Sequence, residues 1–223
     1  FWSLISNLII FSIQISLWEK TLLLSNNFLI TYFGLCLFLK PLISVKTDRY
    51  LQESFNNSSM LFDTLKPISF SKLILLKDIA NSVYTFLFVS LPSVIIIQLI
   101  YNLNFNITIG NFLFFIMSAI ISFLTAWIIA FLTGLTVFYF KNCEGFIQLR
   151  LFTIPLLSGA IIPLDVFPTS FKKVILILPF SGLIDSPIKI LLSSQNNLIF
   201  QLLFFQLSWL FLLMTILHIF KNK

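Results

Sequence analysis

His218 is the sole histidine of the sequence, and Cys36 and Cys143 are its two cysteines. A metal centre needs three or four imidazole, thiolate or carboxylate ligands at suitable spacing, and covalent catalysis needs a nucleophile with a base in reach. Neither set can be drawn from these residues, so no metal and no catalytic residue is expected. The carboxylates stand apart, at Glu19, Asp48, Glu53, Asp63, Asp78, Glu144, Asp165 and Asp185, in expected loops or at the ends of apolar runs. The glycines at 34, 110, 134, 145, 159 and 182 open no Gly-x4-Gly-Lys-Ser/Thr loop, so nothing here cradles a nucleotide phosphate.

The spacings that remain suit recognition. Met60, Leu61, Thr64 and Leu65 would share one side of a two-turn helix. Ser58 or Ser59 can cap its start, and Pro67 disfavours helix at Lys66 and ends it. An apolar-faced helix in a polar loop suits insertion into a partner's groove; it suits equally a place on the lipid headgroups or against its own bundle. A hydroxyl stripe of Ser118, Ser122, Thr125, Thr133 and Thr136 lies near one helical face. Such residues on a membrane helix serve close packing or line a polar pathway. Asn7 and Gln14, seven residues apart, carry the same two readings.

These residues must be held by elements that are not made for water. The 223 residues are 58% hydrophobic, 17% aromatic and 10% charged, with 28 phenylalanines. A soluble domain carries about 25% charged residues, and disorder requires low hydrophobicity. The chain is expected to be an all-α integral membrane protein. A crossing takes roughly 20 apolar residues, and six runs qualify, near 1–18, 28–45, 79–101, 111–140, 145–162 and 198–220. The first lacks the basic start and small-residue cleavage site of a signal peptide. A polar loop, 46–78, and a broken segment, 163–197, join them within one transmembrane domain, 1–223.

With loop 46–78 in the cytoplasm, ten of the 14 Lys and Arg residues fall on that side, leaving Lys20, Lys172, Lys173 and Lys189 opposite. Both termini are then cytoplasmic, as six crossings require. The net charge of +6 is accounted for by orientation and anionic lipid heads. Nucleic acid is excluded as a partner, since the positive residues are spread over loop ends.

Prolines at 155, 163, 168, 179 and 187 cut the broken segment into pieces too short to span. Between Pro168 and Pro179, the residues Phe171, Val174, Ile175 and Leu178 recur at helical spacing, with Lys172 and Lys173 turned away, as in an interfacial helix. Broken helix at membrane depth persists only when buried in protein or lining a cavity. The segment is therefore a lid over a pathway or a filler between spans.

Two stretches carry a family likeness. The run 158–187, SGAIIPLDVFPTSFKKVILILPFSGLIDSP, resembles the signature of ABC-2 type transporter permeases: Ser-Gly-Ala, a following Pro, Phe-Pro, Leu-Pro-Phe and a further Pro. Leu65-Lys66-Pro67-Ile68-Ser69 is similar to that family's Leu-Arg-Pro-x-Ser element, with Lys for Arg. The likeness is greatest to the six-span bacterial permeases related to drug and viologen exporters, and covers the chain from about Trp18 onward. It implies a six-helix type V exporter bundle in the bacterial inner membrane, with a re-entrant extracellular segment between helices 5 and 6. In that segment Ser158, Gly159, Pro163, Phe167, Pro168, Pro179, Phe180 and Pro187 are the matching residues. It implies coupling to a separate ATPase subunit, which binds the ATP and Mg, through Met60, Leu61, Thr64, Leu65, Lys66 and Pro67. It also implies pairing with a second permease subunit, the same or different, and export of a hydrophobic or amphipathic substrate. The hydroxyls of Ser118, Ser122, Thr125 and Thr133 become candidate pathway lining. Such permeases open with a cytoplasmic amphipathic helix, whereas this sequence starts at Phe1 inside a span, which implies that the amino-terminal start is missing. Asn56-Asn57-Ser58-Ser59 also replaces a Gly ahead of the family's loop helix.

Two other classes stand beside this one. A membrane-embedded lipid-modifying enzyme would need its active site in loop 46–78, where Asp48, Glu53 and Asp63 are unevenly spaced and no histidine stands. A secondary transporter would be built from inverted repeats, and the first and last three spans show no convincing similarity.

Overall fold

A computed structural model of the chain describes residues 2–21, 26–57, 63, 65, 67–101, 108–193 and 195–221. Helices α1 (Trp2–Thr21) and α2 (Asn26–Ile43) are followed by a short α3 (Thr47–Asn56). Then come α4 (Phe70–Tyr101) and α5 (Ile109–Leu135), the latter prolonged by a turn at Val137–Phe140. After α6 (Glu144–Leu157) the chain breaks into a 3-10 turn (Leu164–Val166), α7 (Thr169–Ile177), a second 3-10 turn (Pro179–Gly182) and α8 (Asp185–Leu192). Helix α9 (Asn196–Lys221) closes the chain. No strand occurs among the described residues.

Among the described residues, four stretches are long and apolar enough to cross a membrane: Phe28–Asn56, Phe70–Tyr101, Ile109–Phe140 and Asn196–Phe220. Trp2–Trp18 is a shorter apolar helix. Helix α6, with 14 residues, is about 21 Å long, well short of the ~30 Å hydrocarbon core. The bilayer accounts for the surface. Phe200, Phe204 and Phe211 on α9 and Phe88, Leu99 and Ile100 on α4 are exposed, a pattern that water would penalise and lipid does not.

The expected loop 46–78 is largely helical. Thr47–Asn56 forms α3, and α4 begins at Phe70 instead of near 79. Lys72 and Lys77 interrupt the apolar run without breaking the helix, because long charged side chains reach polar surroundings while their stems stay on apolar ones, and the buried Asp78 is satisfied by hydrogen bonds. Within α4 the turn Phe86–Ser90 is a π-helix next to Pro92. A proline has no N–H and its ring clashes with the carbonyl four residues back; a widened turn absorbs both defects.

Helix α5 stands at the centre, against α2, α3, α6, α8 and α9. Its start is fixed by the Thr108 hydroxyl, which accepts the Asn111 N–H at 3.4 Å. Around it Leu29, Phe33 and Leu39 of α2, Leu51 of α3, Ile74 and Ile97 of α4 and Ile128 of α5 are almost wholly buried. Each contributes about 1.5–3 kcal/mol where burial removes it from water.

Candidate functional site

Helix α3 is the hub of the polar contacts at one end of the bundle. The chain leaves α2 at Ile43 and re-enters helix at Thr47, so the first N–H groups of α3 need acceptors. Asp78 of α4 supplies them: its carboxylate accepts the Lys46 N–H at 3.1 Å and the Thr47 hydroxyl. A carboxylate at a helix N-terminus is also favoured by the helix dipole. The next residue, Asp48, points into the bundle. Its Oδ2 lies 2.6 Å from Arg150 Nε on α6, and Arg150 Nη2 donates to the Val45 carbonyl at 3.1 Å. Asp48 is 0% exposed and Arg150 5%.

Gly134 of α5 completes the dock. A Cβ there would lie 2.5 Å from Leu51 Cδ1 and 3.0 Å from Asp48 Cα, so α3 crosses α5 at a distance that only glycine permits. At the connection between α5 and α6, the Cys143 thiol donates to Gln52 Oε1 at 2.9 Å, and Gln52 Nε2 donates to Asn142 Oδ1 at 3.1 Å. Burial raises the pKa of the Cys143 thiol. Helix α3 is thus tied at once to α4, α5, α6 and the turn between the last two.

The segment after α3 is tethered to the same hub. The Tyr50 hydroxyl donates to Asp63, and the Lys77 ammonium donates to Tyr50 and lies 3.7 Å from the centre of its ring. Lys77 is also 3.8 Å from Asp63. Leu65 is 81% exposed and Pro67 is exposed. Met60, Leu61, Thr64 and Lys66 lie outside the described residues.

At the other end lies the broken segment. Ser158 is fully buried, and Gly159 takes a φ of +90°, where a side chain would be strained and would meet the Tyr32 hydroxyl. Three neighbours hold the reversed chain: Tyr32 donates to the Gly159 carbonyl at 3.1 Å, the Asp185 N–H to the Ser158 carbonyl at 3.1 Å, and Gln14 Nε2 to the Ala160 carbonyl at 2.9 Å. Pro163 precedes the first 3-10 turn, Pro168 precedes α7, Pro179 opens the second 3-10 turn, and Pro187 is buried in the first turn of α8. Phe167 and Phe180 are half-buried. Of the expected apolar face of α7, only Ile175 is fully buried; Phe171 and Val174 point outward, and Lys172 turns inward to Asp165 at 2.6 Å. Outward apolar residues are what an interfacial helix lays on lipid. Lys189 adds contacts to Asp165 at 3.7 Å and Asp185 at 2.7 Å.

The hydroxyl stripe of α5 is engaged inside the protomer. Ser118 donates to Gln206 Oε1 at 2.8 Å, Ser122 donates to the Gly182 carbonyl at 3.0 Å, and Gln206 Nε2 bonds both Ser122 and that carbonyl. Thr125 and Thr133 bond back to the carbonyls of Ile121 and Ala130, each at 2.8 Å. The Ser118 and Ser122 contacts join α5 to α9 and to the turn ahead of α8.

The model of a family described as ABC-2 family transporter protein matches residues 23–223. The chain belongs to the ABC-2 transporter family. No curated protein and no solved structure matches the chain significantly. As an ABC-2 protein it is a multi-pass membrane component of a transport system, and ABC-2 permeases work with ABC ATPase subunits. Both stretches that carried the likeness, 65–69 and 158–187, fall within the match. The Asp48–Arg150 pair and the Asp78 cap escaped sequence reasoning. Arg150 alone in the apolar run 145–162 was the available signal, because a cation buried in an apolar helix requires a counter-charge.

Proposed function

We propose that this ABC-2 protein is the permease subunit of an ATP-driven exporter in the bacterial cytoplasmic membrane. It carries a hydrophobic or amphipathic substrate and pairs with a second permease subunit; it crosses the membrane six times with both termini inside, the fifth crossing being completed beyond the short α6 by the chain that follows Leu157. The energy comes from a separate ATPase seated on Met60–Pro67, and the broken segment 158–192 forms a re-entrant cap at the outer exit. The observation that supports this best is the docking of α3. A force applied to the loop that follows α3 reaches α4 through Asp78, α5 through Gly134 and α6 through Arg150. A packed helix of this kind moves as a unit with the elements it is bonded to, which is what an ATPase must act on to tilt spans.

The test is co-expression with a candidate ABC ATPase subunit, followed by co-purification and measurement of ATP hydrolysis in membranes. Leu65→Asp is expected to abolish association, since a charge placed on an exposed apolar anchor forfeits its burial, while the permease keeps its melting temperature. Undiminished association with Leu65→Asp and Leu61→Asp combined would sink the assignment.

A further inference from the structure

Along the flank of α1, α2 and α6 runs a cleft of about 540 Å³, bordered by Arg150 and by the Gln14–Ala160 hydrogen bond. Ligand pockets commonly hold roughly 300–1,000 Å³. Its walls are apolar, including Ile10, Ile13, Leu151, Ile154 and Ile161. Two cations border it. Arg150 is already neutralised by Asp48. Lys40 is not: its ammonium donates to Asn7 Oδ1 at 2.6 Å, and among the described residues no carboxylate lies within ion-pair distance of it. Asn7 is 5% exposed and neutral, so it orients the ammonium without cancelling its charge.

A charge in a membrane helix is costly and is retained where it has a partner to meet. An apolar trough with one unneutralised cation near its end has the complementarity of an anionic head on an acyl chain. We infer that the cleft between α1, α2 and α6 binds an anionic amphiphile, with its head at Lys40 and its chain along Ile10, Ile13 and Ile154. The inference rests on the permease reading for its purpose and gives the substrate a class: single-chain or lipid-borne anions. The occupancy itself requires no ATPase. In the low-dielectric trough the ammonium attracts an anion far more strongly than in water, and the chain adds about 0.8 kcal/mol per buried methylene.

The test uses the purified full chain without ATPase, in neutral detergent, with retained ligand counted by native mass spectrometry. Four probes are offered: phosphatidylglycerol, phosphatidylcholine, palmitate and inorganic phosphate. The expected result is at least tenfold greater retention of phosphatidylglycerol or palmitate than of phosphatidylcholine, and no retention of phosphate alone. Phosphatidylglycerol retained identifies a phospholipid head; palmitate retained alone identifies a single-chain anion. Lys40→Gln, which can still bond Asn7, lowers retention about tenfold, Lys40→Arg restores it, and Ile154→Trp lowers it by filling the trough. Lys173→Gln, on an exposed part of α7, leaves it unchanged. Equal retention of phosphatidylcholine, an unaffected Lys40→Gln, or Ile154→Trp altering oligomeric state in place of retention overturns the inference. The last outcome would give the cleft to a second copy of the chain. Loss of ATPase association by Leu65→Asp with ligand retention intact separates this site from the coupling assignment.

Discussion

Arg150 Nε and Asp48 Oδ2 lie 2.6 Å apart across 102 residues of sequence, and both side chains are buried. Removing two charges from water is costly, and the cost is offset only when the pair stays together with its other hydrogen-bonding groups satisfied. Here they are: Arg150 also donates to the Val45 carbonyl, and Asp48 also accepts the Arg49 N–H at 2.9 Å. The pair fixes where α3 lies relative to α6.

Arg150→Gln is expected to destabilise the chain by about 3–5 kcal/mol, because it strands the Asp48 carboxylate in the interior. The measurement is the melting temperature in detergent. Adding Asp48→Asn to Arg150→Gln should recover part of the loss, since no unpaired charge remains. A single variant as stable as the wild type would contradict the buried pair.

Gly134→Ala tests the crossing of α3 over α5. The new methyl overpacks the site, at about 1–3 kcal/mol. Leu51→Ala in the same chain should relieve only part of this, because Asp48 Cα remains 3.0 Å from the added carbon. Full recovery would show that the backbones are free to separate.

Gln206→Leu leaves the buried Ser118 hydroxyl without its acceptor and the Gly182 carbonyl with Ser122 as its one remaining side-chain donor. A loss of about 1–3 kcal/mol is expected for the unsatisfied Ser118 hydroxyl, visible as faster proteolysis between 164 and 192. Protection equal to the wild type would mean that α9 does not hold this segment.

The acid response of the same segment has a defined sign. Burial pushes Asp165 upward, but the hydrogen bond from Lys172 and the charge of Lys189 outweigh it and hold the carboxyl below its ordinary range. Its stabilising effect is therefore complete above the ordinary carboxylate pKa of ~3.9 and disappears as pH falls through the lower folded value. Asp185, whose pKa burial raises, acts oppositely: the folded state gains stability as falling pH protonates it. Hydrogen exchange of α7 should accelerate in acid below about pH 4, and Asp165→Asn should remove that acceleration. An unchanged acid profile in Asp165→Asn would assign the effect to another group.

Composition alone made the membrane class legible, and the apolar runs around 28–45, 111–140 and 198–220 located long helices because bilayer thickness fixes their length. The hub around α3 was not legible. Thr47-Asp48-Arg49 and Gln52-Glu53 have the polarity of a surface loop, and only the position of Arg150 and Asp78 in space makes the burial of Thr47 and Asp48 favourable. Pro155 and the reversal at Ser158-Gly159 likewise shortened α6 to less than a crossing, a result of tertiary bonds to Tyr32 and Gln14 that no periodicity carries. The Lys172–Asp165 pair joins α7 to the preceding turn across a distance that the spacing does not contain.

The widened turn at Phe86–Ser90 has a geometric effect along the whole of α4. The residues that face the neighbouring helices, Ile74, Asp78, Ser82, Ser90 and later Ile97, are buried, and their early members recur every four positions. On a regular helix such a row slips about 40° per step and would wander off the contact surface within a few turns. One slack coil near mid-length takes up the accumulated slip, so a single continuous helix keeps the same side to the protein from Asp78 to Ile97.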